Sequence, residues 1–179
     1  MTIQKRGELI NLLHHFSLPL RVAEIGVAQG LFAQEIYNNW KLEHLYLVDI
    51  WEMLPFIDGC ASFDQAWHDK NYEEVLLYFH GKKDVTVLKG FSHKMALEVK
   101  DESLGIVYID GDHSYQGCKA DIKFWWPKLA PGGIMAFHDY ANGAYGVNRA
   151  VIEFVKGEHN VHRINEDGNT ENIGAWIRK

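Results

Sequence analysis

LGIVYIDGDHSYQGCKADIKFWWPKLAPGGIMAFHDY, residues 104–140, reads as strand, polar loop, helix, turn and strand. Leu104–Ile109 is an apolar run rich in Val and Ile, short enough for a strand buried on both faces. It stops at Asp110, Gly111, Asp112 and His113, which a buried strand would not carry. Tyr115, Cys118, Ile122, Trp125 or Trp126, and Leu129 then share one helical stripe, with Ser114 as its N-cap. Pro131-Gly132-Gly133 closes the unit, and Ile134–Phe137 forms a second apolar run ending in His138, Asp139 and Tyr140. Two adjacent parallel strands would bring Asp110, Asp112, His113, His138 and Asp139 to one sheet edge, where open α/β sheets hold ligands.

Upstream, residues 3–16 have helical spacing, with Leu9, Leu12, Leu13 and Phe16 on one face. Val22–Ile25 is a strand running into Gly26-Val27-Ala28-Gln29-Gly30, followed by a helix over Leu31–Trp40 and a strand over Leu45–Val48 that ends in Asp49. Pro55, Asp58 and Gly59 mark a loop, and Ser62–Phe79 reads as a helix through Phe63, Trp67, Leu76 and Phe79. Val85–Leu88 is the third strand, leading through Gly90-Phe91-Ser92-His93 to a short helix over Lys94–Val99. Downstream of the central unit, Tyr140–Gly146 reads as a mobile flap and Val147–Lys156 as a helix. Val161–Ile164 and Ile173–Ile177 flank the turn-rich Asn165–Asn172. The alternation predicts an α/β fold with a doubly wound, mostly parallel sheet of seven strands, the last antiparallel. Residues 1–179 read as one domain.

A net charge of −6 without a Lys/Arg cluster argues against nucleic acid as a partner. No apolar run reaches the ~20 residues of a membrane span, and the first twenty residues lack the apolar core of a signal peptide. Cys60 and Cys118 are isolated thiols without metal-ligand spacing, so the expected setting is cytoplasmic.

The glycine-bearing turn carries chemistry of its own. Gly26 suits the tight turn and Gly30 the approach of helix to strand, but Ala28 stands where a pyrophosphate-binding turn usually has glycine. Glu24 precedes the turn, and Asp49 is placed to take the two hydroxyls of a ribose. An acid, no phosphate cradle and a ribose acceptor together fit S-adenosylmethionine. Ser92 and His93 offer polar groups where an adenine edge would lie. Asp110, His138 and Asp139 could converge on a divalent cation, with Asp112 as a further ligand. An imidazole titrates near neutrality, which makes His113 the candidate general base for taking a proton from a hydroxyl. His14, His15, His44, His68 and His80 read as structural, and Trp125-Trp126 as core.

These residues resemble the class I S-adenosylmethionine-dependent methyltransferases, which have a Rossmann-like fold, and within them the metal-dependent small-molecule O-methyltransferases. IDGDHSY and GGIMAFHDY are most similar to the bacterial sugar and antibiotic enzymes, and the likeness spans about residues 20–157. The resemblance implies that Glu24, Gly26 and Gly30 shape the methionine pocket, that Asp49 holds the ribose, and that Trp51 covers the adenine. Ser92 and His93 would bind its edge. Asp110, His138 and Asp139 would be the metal ligands, and His113 would stand where the catalytic Lys or His base stands. His138 replaces a family acid or amide, which suits manganese, iron or zinc better than magnesium. With little chain before the first strand, Trp51–Cys60 and Tyr140–Tyr145 would form the acceptor pocket, with room for a contribution from a second subunit in a homodimer. The acceptor implied is a hydroxylated small molecule, a sugar or vicinal diol. The rival readings are a metal-independent O- or N-methyltransferase, a nicotinamide-dependent oxidoreductase, and a catalytically silent cofactor-binding module.

Overall fold

In the computed structural model, residues 3, 5–54, 63–165 and 173–179 are described. The strand at the centre of the fold, β4 (Leu104–Ile109), is buried at every position. Successive side chains of a strand point to opposite faces, so Ile106 and Tyr108 join one core cluster while Val107 and Ile109 join the other. β1 (Arg21–Ile25), β2 (His44–Asp49), β3 (Val85–Lys89) and β5 (Leu129–Phe137) run parallel to it. β6 (His162–Asn165) and β7 (Ile173–Arg178) complete the sheet in the order β3-β2-β1-β4-β5-β7-β6. β7 is antiparallel to both its neighbours.

The two sheet faces are covered by different helices. α1 (Asn11–His15), α2 (Leu31–Asn39) and α3 (Gln65–Tyr78) supply Leu12, Leu13, Phe32, Ile36 and Val75 to the first cluster. α4 (Ser92–Met95), α5 (Tyr115–Trp125) and α6 (Val147–Val155) cover the second, through Cys118, Ile122, Trp125 and Val151 among others. Ser114 caps α5 as its sequence predicts, its hydroxyl accepting from the Gly117 N–H at 3.0 Å. No helix among the described residues is long and apolar enough to cross a membrane.

Three local readings need correction. The helical pattern over 3–16 divides into a 3-10 turn, Arg6–Ile10, and the short α1. α3 begins after an Asp64 cap and buries Asn71 and Val75, while Phe63 and Leu76 stay exposed; Ser62 lies outside the described residues, as do Pro55, Asp58, Gly59, Cys60 and residues 166–172. Pro131-Gly132-Gly133 does not separate helix from strand but lies inside β5. Leu129 pairs with Leu104 and Ile134 with Ile106, so the extra residues bulge out of the ladder. Proline has no N–H for the ladder, and Gly132, at φ +79°, takes the bend.

Candidate functional site

The tips of β1, β2 and β4 are bound into one unit by backbone contacts. Asp49 accepts hydrogen bonds at Oδ2 from the N–H groups of Val27 and Ala28, both at 2.8 Å, and at Oδ1 from that of Trp51, also at 2.8 Å. A Cβ on Gly26 would stand 2.2 Å from the carbonyl oxygen of Asp110, so only glycine lets the first turn approach the end of β4 this closely. Ala28 adopts φ +48°, a left-handed conformation that costs an ordinary residue about 1–2 kcal/mol. The turn is held there by Trp51, whose indole N–H donates to the Ala28 carbonyl at 2.9 Å.

Beside this unit lies a cavity of about 480 Å³, within the range of small-molecule sites. Gly26, Asp49, Ser92, His93, Asp110 and His113, all singled out by the sequence, line it. Three other residues assigned to the cofactor do not. Trp51 is fully buried against Tyr72, because its φ of +42° turns the chain so that the indole lies beneath the first turn instead of over a ligand. Glu24 alternates with Ile25 along β1 and therefore falls on the opposite face from the cavity-lining Ile25. Its carboxyl is held well above its ordinary pKa, first by burial and next by the charge of Asp110, with Arg6 opposing. Gly30 is packed instead against Val75 of α3, where a Cβ would come within 2.9 Å of a methyl group.

At the cavity's margin four side chains meet. His113 Nε2 is 3.3 Å from Asp110 Oδ1 and 3.7 Å from Asp139 Oδ2. His138 Nδ1 is 3.2 Å from each of the same two oxygens. Hydrogen bonding to His138 lowers the pKa of Asp139 against the opposing effect of burial. Although close to both carboxylates, the buried Nε2 of His113 makes no hydrogen bond. Donor atoms around a cation held at about 2.0–2.2 Å are themselves roughly 3.0–3.5 Å apart; three of these distances fall in that range, and the 3.7 Å between His113 and Asp139 lies outside it. Asp110, His113 and His138 each offer an atom to one candidate centre, so His113 belongs to the cluster and does not stand apart from it. Asp112 instead accepts from the Ser114 N–H at 2.8 Å. Tyr145 stacks on the His113 ring with centroids 4.9 Å apart, and the Gly146 N–H donates to the His113 carbonyl at 2.9 Å. Tyr140, expected in the acceptor pocket, is buried.

The sequence reading missed the other side of the cavity. Asp121 is a buried carboxylate on α5 that lines the cavity, and burial pushes its pKa up to about 7. It accepts a hydrogen bond from Ser92 Oγ at 2.5 Å, and Ser92 Oγ accepts from the Trp125 indole N–H at 2.8 Å. Asp121 shares the helical stripe of Cys118, Ile122 and Trp125, and an acid on an apolar stripe was the available signal. Phe63 and Trp67, stacked with centroids 3.9 Å apart, and His68, read as structural, also line the cavity.

A family described as a methyltransferase domain matches residues 23–140, more than half of the chain. An uncharacterized protein of Sinorhizobium fredii is 28% identical over 132 residues, which are 71% of this chain and 14% of that protein; the chain thus spans about a seventh of its relative's length. Among solved structures, the O-methyltransferase NovP superposes with a TM-score of 0.66 at 18% identity, over 97% of this chain and 77% of that one. An O-methyltransferase from Bacillus cereus, in complex with SAH, superposes with a TM-score of 0.63 at 16% identity, over 97% and 80%.

Proposed function

This chain belongs to the methyltransferase-domain family, and on that premise we propose that it transfers the methyl group of S-adenosylmethionine to a hydroxyl of a small molecule with the help of a divalent cation. The class is that of S-adenosylmethionine-dependent methyltransferases; the oxygen acceptor and the cation are the parts proposed. The observation that carries them is the convergence of Asp110, His113, His138 and Asp139 beside the cavity. The O-methyltransferase neighbours favour the same acceptor atom.

The cofactor supplies an electrophilic methyl group on a positively charged sulfur. Asp49 already accepts three backbone N–H groups, and a carboxylate has room for about four, so one ribose hydroxyl can still bind it. Gly26 and Ala28 keep the first turn low enough for the amino-acid tail to lie beside it. The residues fit a cation: the two imidazoles and Asp110 each offer an atom to one centre, with Asp139 beside them, a donor set that suits manganese, iron or zinc more than magnesium. When bound, the cation lowers the pKa of an acceptor hydroxyl. His113 and His138 would hold it through Nε2 and Nδ1, and Asp110 and Asp139 would balance its charge. Much of the rate would come from holding the two reactants in line at attack distance.

A second reading rests on the same distances. Without a cation, His113 stands within 3.3 and 3.7 Å of two carboxylates that would orient its ring, as a general base requires. The variant His113→Gln separates the two. If His113 is a ligand, manganese affinity in calorimetry falls at least about tenfold; if it is only a base, manganese affinity is kept and turnover falls roughly 10²–10⁴-fold. In both cases the affinity for S-adenosylmethionine stays within about threefold. Turnover that survives exhaustive chelation would exclude the metal-dependent reading, and transfer only to amines would exclude the hydroxyl acceptor.

A further inference from the structure

Among the described residues, β3 ends the sheet and pairs with β2 alone, through an unbroken parallel register from Val85 to Lys89. Asp84 accepts from the Leu45 N–H at 2.8 Å, and Gly90 donates to the Asp49 carbonyl at 2.9 Å, so the even-numbered residues turn their backbone groups toward β2. Val85, Val87 and Lys89 alternate with them and turn theirs outward. No strand or loop among the described residues takes up the N–H of Val87 or Lys89. The opposite edge is partly covered, since Asn165 of β6 bridges Lys5. Edge strands are commonly blunted by proline, a bulge or a projecting charge. β3 reads VTVLK, and its one charge, the Lys89 ammonium, folds back over the Tyr72 ring at 4.3 Å.

The helix above this edge is apolar on the matching side. α3 sets Asn71 and Val75 on the sheet and sends Tyr78 toward α2, where its hydroxyl donates to Asn38 at 2.8 Å. Helical spacing puts Tyr72 and Leu76 on the opposite flank. Tyr72 meets Lys89 there, and Leu76 is 42% exposed.

We propose that this face docks a second copy of the chain, paired antiparallel across a two-fold axis at Val87. The two Val87 residues would exchange both backbone hydrogen bonds, and each Lys89 N–H would meet the carbonyl of the partner's Val85. In that register Leu76, one turn nearer the start of β3, packs against the partner's Tyr72. The Lys89 ammonium comes toward the partner's Asp84, whereas a parallel pairing would set Lys89 against Lys89. The edge is thus its own complement, in hydrogen bonds, apolar contact and charge alike. β2, β1 and β4 separate it from β5, so the interface leaves the histidine cluster to one chain and rests on neither cofactor nor cation.

The test is sedimentation equilibrium of the full chain, with amide exchange followed at Val87 and Lys89. Wild type should pass from one chain to two as concentration rises through about 1–100 µM, and both amides should slow at least about tenfold over that range. Val87→Pro removes an outward N–H and leaves the ladder to β2 intact; Leu76→Glu sets a charge against the partner's Tyr72. Each should raise the dissociation constant at least about thirtyfold. Ile152→Glu, at an exposed apolar residue of α6, should leave it within about threefold. Circular dichroism checks the folding of every variant; where Val87→Pro does not fold, Leu76→Glu and the two amides decide. Wild type that stays monomeric overturns the proposal. So does a dimer that the edge variants keep, a dimer that Ile152→Glu weakens equally, or a mass that grows beyond two chains.

Discussion

Glu24 has a buried carboxyl whose Oε2 makes no hydrogen bond. Burial, reinforced by Asp110, raises its pKa well above 4.5, so the folded chain holds the proton more tightly than the unfolded one. Its contribution to stability is therefore complete below the ordinary pKa and fades as pH rises through the folded value. Glu24→Gln should match wild type near pH 4.5 and exceed it by roughly 1–3 kcal/mol at pH 8, read as a difference in melting temperature across that range on metal-free protein. Residue positions at the strand tips were legible because a strand end converts sequence order directly into place: Asp110 and His138 follow adjacent parallel strands. Orientation was less legible. Trp51 follows Asp49 closely enough to pass for a cofactor contact, and one positive φ sends its ring into the core. Glu24 lies off the cavity for a simpler reason: strand alternation puts it on the face opposite Ile25.

The turn between β5 and α6 is the element that shapes the histidine cluster. It starts at Asp139, whose φ of +52° swings the chain out of the strand, and is tied down where the Ala141 N–H donates to the Ile173 carbonyl at 3.0 Å. Its far end carries Tyr145 onto His113. The glycines in Tyr140–Gly146 suggested a flap; the hydrogen bonds give the segment a positioning role that composition does not reveal. Tyr145→Ala should lower the melting temperature by no more than about 6 °C, since an aromatic contact of this kind is worth about 0.5–1.5 kcal/mol, and should lower manganese affinity several-fold by freeing the imidazole. Unchanged metal affinity in calorimetry would show that His113 is held by its backbone alone. The bulge in β5 was illegible for a related reason: Pro-Gly-Gly is read as a terminator, and only pairing with β4 shows that the strand resumes across it.

At the scale of the molecule, the alternation of strand and helix gave the sheet class, because each parallel crossover needs a helix and each helix leaves its periodicity in the chain. The position of β7 was not written in any local pattern, since strand order is decided by packing. Ligand binding gives the global prediction: S-adenosylhomocysteine at 100 times its dissociation constant should stabilise the fold by about 2.7 kcal/mol, raising the melting temperature by several degrees, whereas NAD should leave it unchanged. A shift with NAD and none with S-adenosylhomocysteine would reverse the cofactor assignment. The place of β7 between β5 and β6 also has a consequence for biosynthesis. Both its neighbours leave the ribosome before it does, so β6, bridged only by Asn165 to Lys5, must wait for its ladder partner, and one edge of β5 stays open until the intervening strand emerges. The sheet closes by insertion, not by addition at its rim. A nascent chain paused after Asn165 would thus present an unpaired hydrophobic edge, the kind of surface that chaperones and neighbouring chains compete to cover.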